Sequence, residues 1–278
     1  MKRLIYSLVA LSMLMFACNI TSTSTPVVIT QPPVPPTVTP VQATNPPPTP
    51  QANVNCNEVS VYVDPAIASG FDCQTIPESS GSDAPAWAIN PQYTQITLTG
   101  YALSGGFSVR QINLFPVKRF TEIDTSGMIP VRVSDLQALI AGGAPGGEDL
   151  PLLPIFNAAQ MFYSNYQVVP FVSGSGIRFV TMYGQDVGPV ANNAVFYTFQ
   201  GLTGDGKYWV SAILPVSSPI LPADGSTLPG GESWDQFTAN FPTYIVDIAT
   251  QLNAQAPGSF SPTLAALDAL VASITVKP

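Results

Sequence analysis

Alternating apolar and polar positions predict several β-strands after about residue 54. Ile96 and Leu98 fall on one face of an extended chain, and Thr97 and Thr99 fall on the other. This period of two residues is typical of a strand with one buried face. The same reasoning predicts strands at residues 59–63, 93–103, 107–117, 167–172, 176–183, 195–201 and 207–214. Glycines on both sides of Asp205 predict a tight hairpin between the last two, so neighbouring strands are expected to pair antiparallel.

Apolar residues spaced three or four positions apart predict four helices. They begin near Ser134, at Pro154, at Trp234 and at Ser261-Pro262, and Pro242 is expected to kink or restart the third. The last helix leads to a short strand at residues 274–276. Strands in runs, with helices between and after them, indicate the α+β class. We therefore predict an antiparallel sheet with a few packed helices, formed as a single domain by residues 54–278.

The first seventeen residues have the order of a signal peptide. Lys2 and Arg3 precede fourteen uncharged, mostly apolar residues at 4–17. A membrane-spanning helix needs about 20 apolar residues, so a cleaved export signal is the better interpretation. The segment ends Met15-Phe16-Ala17-Cys18, which resembles the lipobox of bacterial lipoproteins. That resemblance implies a lipid attached to Cys18 as the mature N-terminus; the alternative is an ordinary secreted protein with an unmodified Cys18.

Residues 18–53 are predicted to be a disordered tether. Ten prolines and many Thr and Ser, without any charged side chain, occupy residues 19–53. Dense proline removes backbone donors, and a fully extended polyproline segment of this length would reach about 100 Å. An O-glycosylated stalk or a proline-rich peptide ligand is an alternative interpretation. Cys18 followed by this tether resembles bacterial surface lipoproteins with Thr/Pro-rich tethers. It implies a domain in the cell envelope, lipid-anchored on the outer face of the membrane.

Two cysteines remain, Cys56 and Cys73. An exported protein lies where disulfides persist, so this pair is predicted to form one bridge. The spacing is not C-x-x-C and the chain has no histidine, so a metal or redox role is disfavoured.

Composition excludes several kinds of chemistry. The 278 residues contain no histidine, 9 Lys or Arg and 17 Asp or Glu, with a net charge of −8. Histidine-dependent nucleophile relays and histidine-ligated metals are therefore absent, and we expect neither a cofactor nor a metal site. An acidic chain without basic clusters also argues against a nucleic-acid partner.

Arg178 is the one candidate ligand-binding residue. It lies within an apolar predicted strand, on the same face as Val180 and Met182, where a charge is costly unless it is paired. Arg178 either pairs with a carboxylate to stabilise the fold or marks a cleft for an anionic or polar ligand. A second hypothesis is a sugar-stacking surface made by Trp87, Tyr93, Tyr101, Trp209 and Trp234.

The chain from about residue 150 is similar to the PsbP-like α+β fold. The stretches that carry this resemblance are GSGIRFVTMYGQ, AVFYTFQGLTGDGKYWVSAILPVSSP and LAALDALVASITV. The resemblance implies a binding or assembly module and transfers no catalytic residue.

The sequence is compatible with two functions. The first is a non-enzymatic, membrane-anchored lipoprotein that binds an envelope protein or a glycan. The alternative is an extracellular carboxylate-dependent hydrolase acting on polysaccharide, because Asp and Glu alone can cleave glycosidic bonds. Its candidate carboxylates, Glu148-Asp149, Asp205 and Asp224, also fit ordinary turns and caps. No catalytic residue is therefore assigned, and two carboxylates meeting in one cleft would favour the hydrolase.

Overall fold

Ten β-strands form two antiparallel sheets in the part of the chain that the computed structural model describes, residues 51–103, 109–146 and 149–277. The strands are β1 Val54–Cys56, β2 Val59–Val61, β3 Gly70–Ile76, β4 Tyr93–Thr99, β5 Gln111–Pro116, β6 Ala159–Phe171, β7 Gly174–Gly184, β8 Phe196–Thr203, β9 Tyr208–Pro215 and β10 Thr275–Val276. The predicted signal peptide, Cys18, nearly all of the tether and the start of the strand predicted at 107–117 lie outside the described residues. The described residues belong to one unit, Pro48–Pro278.

The large sheet has seven strands in the order β3-β4-β5-β9-β8-β7-β6. Within β3–β5 and within β6–β9, each strand pairs with the next strand along the chain. The two groups join where β5 pairs with β9. The small sheet has the order β1-β2-β10. Every pairing is antiparallel, and the hairpin at Asp205 joins β8 to β9 as predicted.

Four α-helices cover the two faces of the large sheet. They are α1 Val117–Ile123, α2 Met128–Ile140, α3 Trp234–Asn253 and α4 Leu264–Ala272. One core lies between the sheet and α1 and α2, and includes Phe120 and Leu136. The other lies between the sheet and α3, α4 and the small sheet, and includes Leu252 and Leu267. This arrangement confirms the predicted α+β class.

The central strands are buried on both faces. All eight residues of β8 are buried, with Tyr197 and Phe199 in one core and Phe196 and Leu202 in the other. A strand covered on both faces needs no polar side, which explains the nearly continuous apolar sequence there.

The two C-terminal helices confirm the sequence prediction. Ser233 caps α3, since its hydroxyl accepts a hydrogen bond from the Gln236 N–H and the Gln236 side chain accepts one from the Ser233 N–H. Thr263 caps α4 in the same way through the Ala266 N–H. Pro242 lies inside α3, which continues as one helix through it.

The prediction of a helix that begins at Pro154 is wrong. Residues 149–156 are irregular, and Ala159–Phe171 is the edge strand β6. Two irregularities in the β6–β7 pairing, between Gln160 and Phe162 and between Ser164 and Gln167, break the period of two residues. Bulges of this kind hide a strand from a pattern search, because the side chains change face at each one.

Other elements begin or end elsewhere than predicted. Helix α2 begins six residues before Ser134, and α1 replaces the end of the strand predicted at 107–117. Strand β3 was not predicted, because its residues are exposed or half-exposed on both faces and show no apolar alternation.

Cys56 and Cys73 form the predicted disulfide, with their Cα atoms 5.6 Å apart. Cys56 ends β1 and is buried in the core, whereas Cys73 lies on the exposed strand β3. The bridge therefore ties the edge of the large sheet to the small sheet, next to the point where the chain enters the domain.

Removing this bridge should destabilise the domain. Because the two cysteines are 17 positions apart, we expect Cys56→Ala/Cys73→Ala to lower the free energy of unfolding by about 3 kcal/mol, through the greater chain entropy of the unfolded state. Urea unfolding followed by tryptophan fluorescence measures the difference. Wild-type protein in reducing agent should show the same loss, and unchanged stability in both cases would contradict the prediction.

Candidate functional site

Helix α2 begins at a dense group of hydrogen bonds around Asp124. The Asp124 carboxylate accepts bonds from the Ile129 N–H at 2.7 Å and from the Ser126 N–H and hydroxyl at 2.9 and 2.6 Å. Gly127, the N-cap residue, has φ 73°, a left-handed conformation that favours glycine. Burial raises the pKa of Asp124, but these hydrogen bonds outweigh it, so the pKa lies below its ordinary value. The first turn of α2 is thus fixed by an ionised aspartate.

The segment before β6 is held against the sheet by Gln200. The Leu153 N–H donates to Gln200 Oε1 at 3.0 Å, and Gln200 Nε2 donates to the Leu153 carbonyl at 3.3 Å. Trp209 and Ser211 on β9 complete the network: the indole N–H donates to Gln200 Oε1, and the Ser211 hydroxyl donates to the Leu153 carbonyl. All of these side chains are buried. Buried backbone polar groups need such partners, and here sheet side chains supply them to an irregular segment.

A groove of about 610 Å³ lies between α2 and this segment. This volume is within the range of small-ligand sites. Its lining residues come from the start and one face of α2 and from the segment, namely Ser126, Gly127, Met128, Val131, Arg132, Asp135, Asp149 and Pro151. We call it the α2 groove. An adjoining depression of about 330 Å³ shares Asp135, Asp149 and Pro151 with it.

Arg132 is the cation of the α2 groove. Its side chain is half-buried, and Nη1 donates to the Leu152 carbonyl at 3.2 Å. Its Nε is buried without a hydrogen-bond partner, an omission that costs about 1–3 kcal/mol. No carboxylate of the described residues lies within 4 Å of its guanidinium. Arg132 therefore has hydrogen-bonding capacity and charge that the described protein leaves unused.

Asp135 and Asp149 place two exposed carboxylates on the same groove. Within the described residues neither forms an ion pair, although Asp135 is three positions after Arg132 on α2. Burial raises the pKa of the nearby Tyr183 phenol, while Arg132 lowers it and Asp149 raises it further. The Tyr183 hydroxyl, which accepts from Gln160 Nε2 at 3.3 Å, therefore stays protonated at neutral pH.

Arg178 is buried and paired inside the domain, with 5% of its surface exposed. Its Nε lies 3.2 Å from Asp268 Oδ1 on α4, too poorly aligned for a hydrogen bond. Nη2 donates to Gln167 Oε1 at 2.7 Å, and Nη1 donates to the Asn165 carbonyl. These contacts favour the interpretation that Arg178 stabilises the fold.

Asp268 is the partly buried counterion in this network. Its Oδ1 accepts from the Tyr197 hydroxyl at 3.0 Å. Burial raises the pKa of Asp268, and the contacts with Arg178 and Tyr197 oppose that rise. The group joins β6, β7 and β8 to α4 through charged and polar side chains.

The five aromatic residues considered for sugar stacking do not form one exposed surface. Tyr101 and Trp209 are buried, and Tyr101 donates to the Pro215 carbonyl at 2.8 Å. Trp87 and Trp234 are about half exposed, at 47% and 52%. The hypothesis that all five residues form one sugar-stacking surface is therefore wrong.

The other candidate carboxylates have the expected turn roles. Asp205 in the β8–β9 turn accepts from the Thr203 hydroxyl and pairs with Lys207. Asp224 accepts from the Ser226 N–H at 2.9 Å. Glu148 lies outside the described residues, and Asp149 lines the α2 groove.

Arg132 and Asp135 were not predicted as site residues, because the helix predicted at Ser134 left Arg132 outside it. The available signal was Gly127 followed by Pro130, since a glycine cap and a proline in the first turn mark a helix start. That start places Met128, Val131, Arg132 and Asp135 on one helical face.

None of the helices in the described ranges is long and apolar enough to cross a membrane. The acidic and cysteine side chains of those ranges do not gather in groups of three that could hold a metal ion.

The Arg178–Asp268 pair should be important for stability. We expect Arg178→Met to lower the free energy of unfolding by about 3 kcal/mol, because it leaves a partly buried carboxylate without its cation. Arg178→Met/Asp268→Leu should recover part of that loss. Arg119→Met, which removes an exposed ion pair with Glu78, should cost much less, because solvent screens exposed ion pairs. Urea denaturation measures all three, and a fully stable Arg178→Met variant would contradict the structural role.

The cap of α2 should depend on pH. Since the pKa of Asp124 is lowered on folding, its contribution is present above the unfolded pKa of about 4 and is lost as pH falls through the folded value. Asp124→Asn should therefore cost about 1 kcal/mol near neutral pH and less near pH 3. Denaturant unfolding at both pH values measures this, with Asp247→Asn on the exposed face of α3 as the control. An effect of Asp124→Asn on the free energy of unfolding that is the same at both pH values would refute the prediction.

Comparison with known proteins supplies no family for this chain. It matches no protein-family model, no curated protein and no solved structure. The resemblance to PsbP-like domains thus stays a hypothesis, and function is argued from the α2 groove.

Proposed function

We propose that the protein is a membrane-anchored extracytoplasmic lipoprotein whose domain binds a ligand in the α2 groove without catalysing a reaction. The observation that carries the binding role is Arg132, a half-buried guanidinium on a groove of about 610 Å³ with no carboxylate of the described residues within 4 Å. A charge left without a partner in such a place is typical of a site that an external group completes.

The anchor is supported by the sequence before the domain. A short apolar segment ends at Cys18, and a charge-free, proline-rich stretch separates it from the domain. The Cys56–Cys73 disulfide agrees with an oxidising compartment outside the cytoplasm. Lipid at Cys18 would hold the domain at the membrane, and the tether would let it reach partners in the envelope.

A binding role fits the chemistry of the groove better than catalysis does. The chain has no histidine to act as a general base. The hydroxyl of Ser126 donates to Asp124 Oδ1 and accepts from the Met128 N–H, so it is engaged in the cap of α2. Asp124 is a weak general base for that hydroxyl, because its pKa lies below the ordinary value and its oxygens also accept backbone N–H groups of the cap. An envelope protein or a glycan is the partner class that the location suggests.

One observation favours a second candidate, the carboxylate-dependent hydrolase. Asp135 and Asp149 line the same groove, as a pair of glycosidase carboxylates must. Release of reducing ends from a soluble polysaccharide by the wild-type protein, abolished by Asp149→Asn, would establish this candidate and overturn the non-enzymatic role.

The anchor has a direct test. We expect the wild-type protein to sediment with membranes and to incorporate labelled fatty acid, and Cys18→Ser to lose both, since the thiol is the site of lipid attachment. The Cys56→Ala/Cys73→Ala variant keeps Cys18 and should stay with the membrane, which separates lipidation from general loss of cysteine. A Cys18→Ser protein that still fractionates with membranes would show that the lipid anchor is wrong.

A further inference from the structure

The charges of the α2 groove form no ion pair within the described residues, a property that Arg132 shares with Arg110, Lys118 and Lys277. Arg119, Arg178 and Lys207 each lie within 4 Å of a carboxylate. Arg132 does not, and it lines a groove that also carries Asp135 and Asp149. The groove thus presents one positive and two negative groups that have no ion-pair partner among the described residues.

The ligand's negative group should lie at Arg132. The guanidinium is half-buried, its Nη1 is engaged with the Leu152 carbonyl, and the described residues supply it with no anion. A partly dehydrated guanidinium prefers a carboxylate or phosphate oxygen, to which it donates charge-assisted hydrogen bonds. The N-terminus of α2 does not compete for that anion, because Asp124 already accepts from the Ile129 N–H.

The ligand's positive group should lie at the two aspartates. Asp135 and Asp149 line both the α2 groove and the adjoining depression. A bare phosphate or a simple carboxylate would gain Arg132 but would face both of these negative charges. An ammonium group on the same ligand removes that repulsion, so the three charges together select a zwitterion.

Size and apolar contacts favour a peptide over a free amino acid. Met128, Val131 and Pro151 line the groove together with the charged groups, and Val131 is 59% exposed. Apolar side chains of a ligand can pack there. A dipeptide separates its terminal charges by up to about 7 Å, whereas a free amino acid holds both on one carbon atom.

We infer that the α2 groove binds a short peptide with both termini free, its carboxylate at Arg132 and its ammonium group at Asp135 and Asp149. This assignment rests on the proposed function, since it names the ligand class of that same groove. A small, neutral, zwitterionic ligand also suits a chain whose net charge is −8, because it needs no long-range attraction.

Binding of alanyl-alanine to the purified full chain tests the inference, by calorimetry or ligand-observed NMR. Alanyl-alanine amide lacks the carboxylate, N-acetyl-alanyl-alanine lacks the ammonium group, and free alanine lacks the length. Each should bind at least tenfold more weakly than the dipeptide. These comparisons use wild-type protein and so do not depend on the folding of any variant.

Variants then assign each charge to its residue. In Arg132→Gln the dipeptide and its amide should bind equally weakly, because the carboxylate no longer has a partner. In Asp135→Asn/Asp149→Asn the dipeptide and its N-acetyl derivative should bind equally. Lys118→Gln and Asp247→Asn, exposed charges on α1 and α3, are the matched controls and should bind like wild type.

Two results would overturn the inference: no saturable binding of the dipeptide to wild-type protein, or equal binding of the dipeptide and both blocked derivatives. Equal binding of free alanine would also overturn the peptide assignment. Membrane fractionation of Cys18→Ser does not depend on any ligand. A result that rejects peptide binding can therefore be told apart from a result that rejects the lipid anchor.

Discussion

The candidate site depends on one buried side chain, Gln200. Its amide bonds both the N–H and the carbonyl of Leu153, as a neighbouring strand would, although residues 149–156 are not a strand. Trp209 and Ser211 fix that amide, because the indole N–H donates to its oxygen and the Ser211 hydroxyl accepts from its nitrogen at 3.0 Å. The position of Pro151 and Asp149 follows from this contact, and so does the Leu152 carbonyl that accepts from Arg132. A neutral amide on the middle of the sheet thus holds one wall of the α2 groove.

The two faces of the large sheet accommodate polar groups in different ways. The face under α2 uses the neutral side chains around Gln200, which desolvate at modest cost when every donor and acceptor is bonded. The opposite face carries the Arg178–Asp268 pair, where burial raises the pKa of Asp268 against the attraction of its partner. An ion pair there adds specificity more readily than net stability, since both charges lose water. Arg178 fixes the bulge of β6 through the Asn165 carbonyl and Gln167, so its charge is used within the fold.

The sequence predicted those elements whose own residues show a regular pattern or a recognisable turn or cap. The antiparallel strands β7–β9, the helices α3 and α4 and the Cys56–Cys73 bridge were all predicted from periodicity, caps and compartment. Only the end of β6, at residues 167–171, was predicted as a strand; its first part and the segment before it were not, because bulges break the alternation and side chains of distant strands satisfy the Leu153 backbone. Arg178 could be singled out as a charge in an apolar strand, yet the pattern alone could not tell a paired arginine from a ligand site. Arg132 looked like any surface arginine, since its missing partner is a property of the tertiary structure.

A low charge density gives the α2 groove its selectivity. The whole chain has 9 Lys or Arg and 17 Asp or Glu among 278 residues, so few mobile side chains are available to fold over a groove and neutralise it. In a charge-rich protein a neighbouring lysine or glutamate would reach Arg132, Asp135 or Asp149 at little cost, and the site would be closed electrostatically. Here few such side chains are present, the three groups have no charged partner among the described residues, and a ligand that binds them must carry both signs of charge. The same scarcity of charge that disfavours nucleic acid therefore favours recognition of a small molecule that carries both signs.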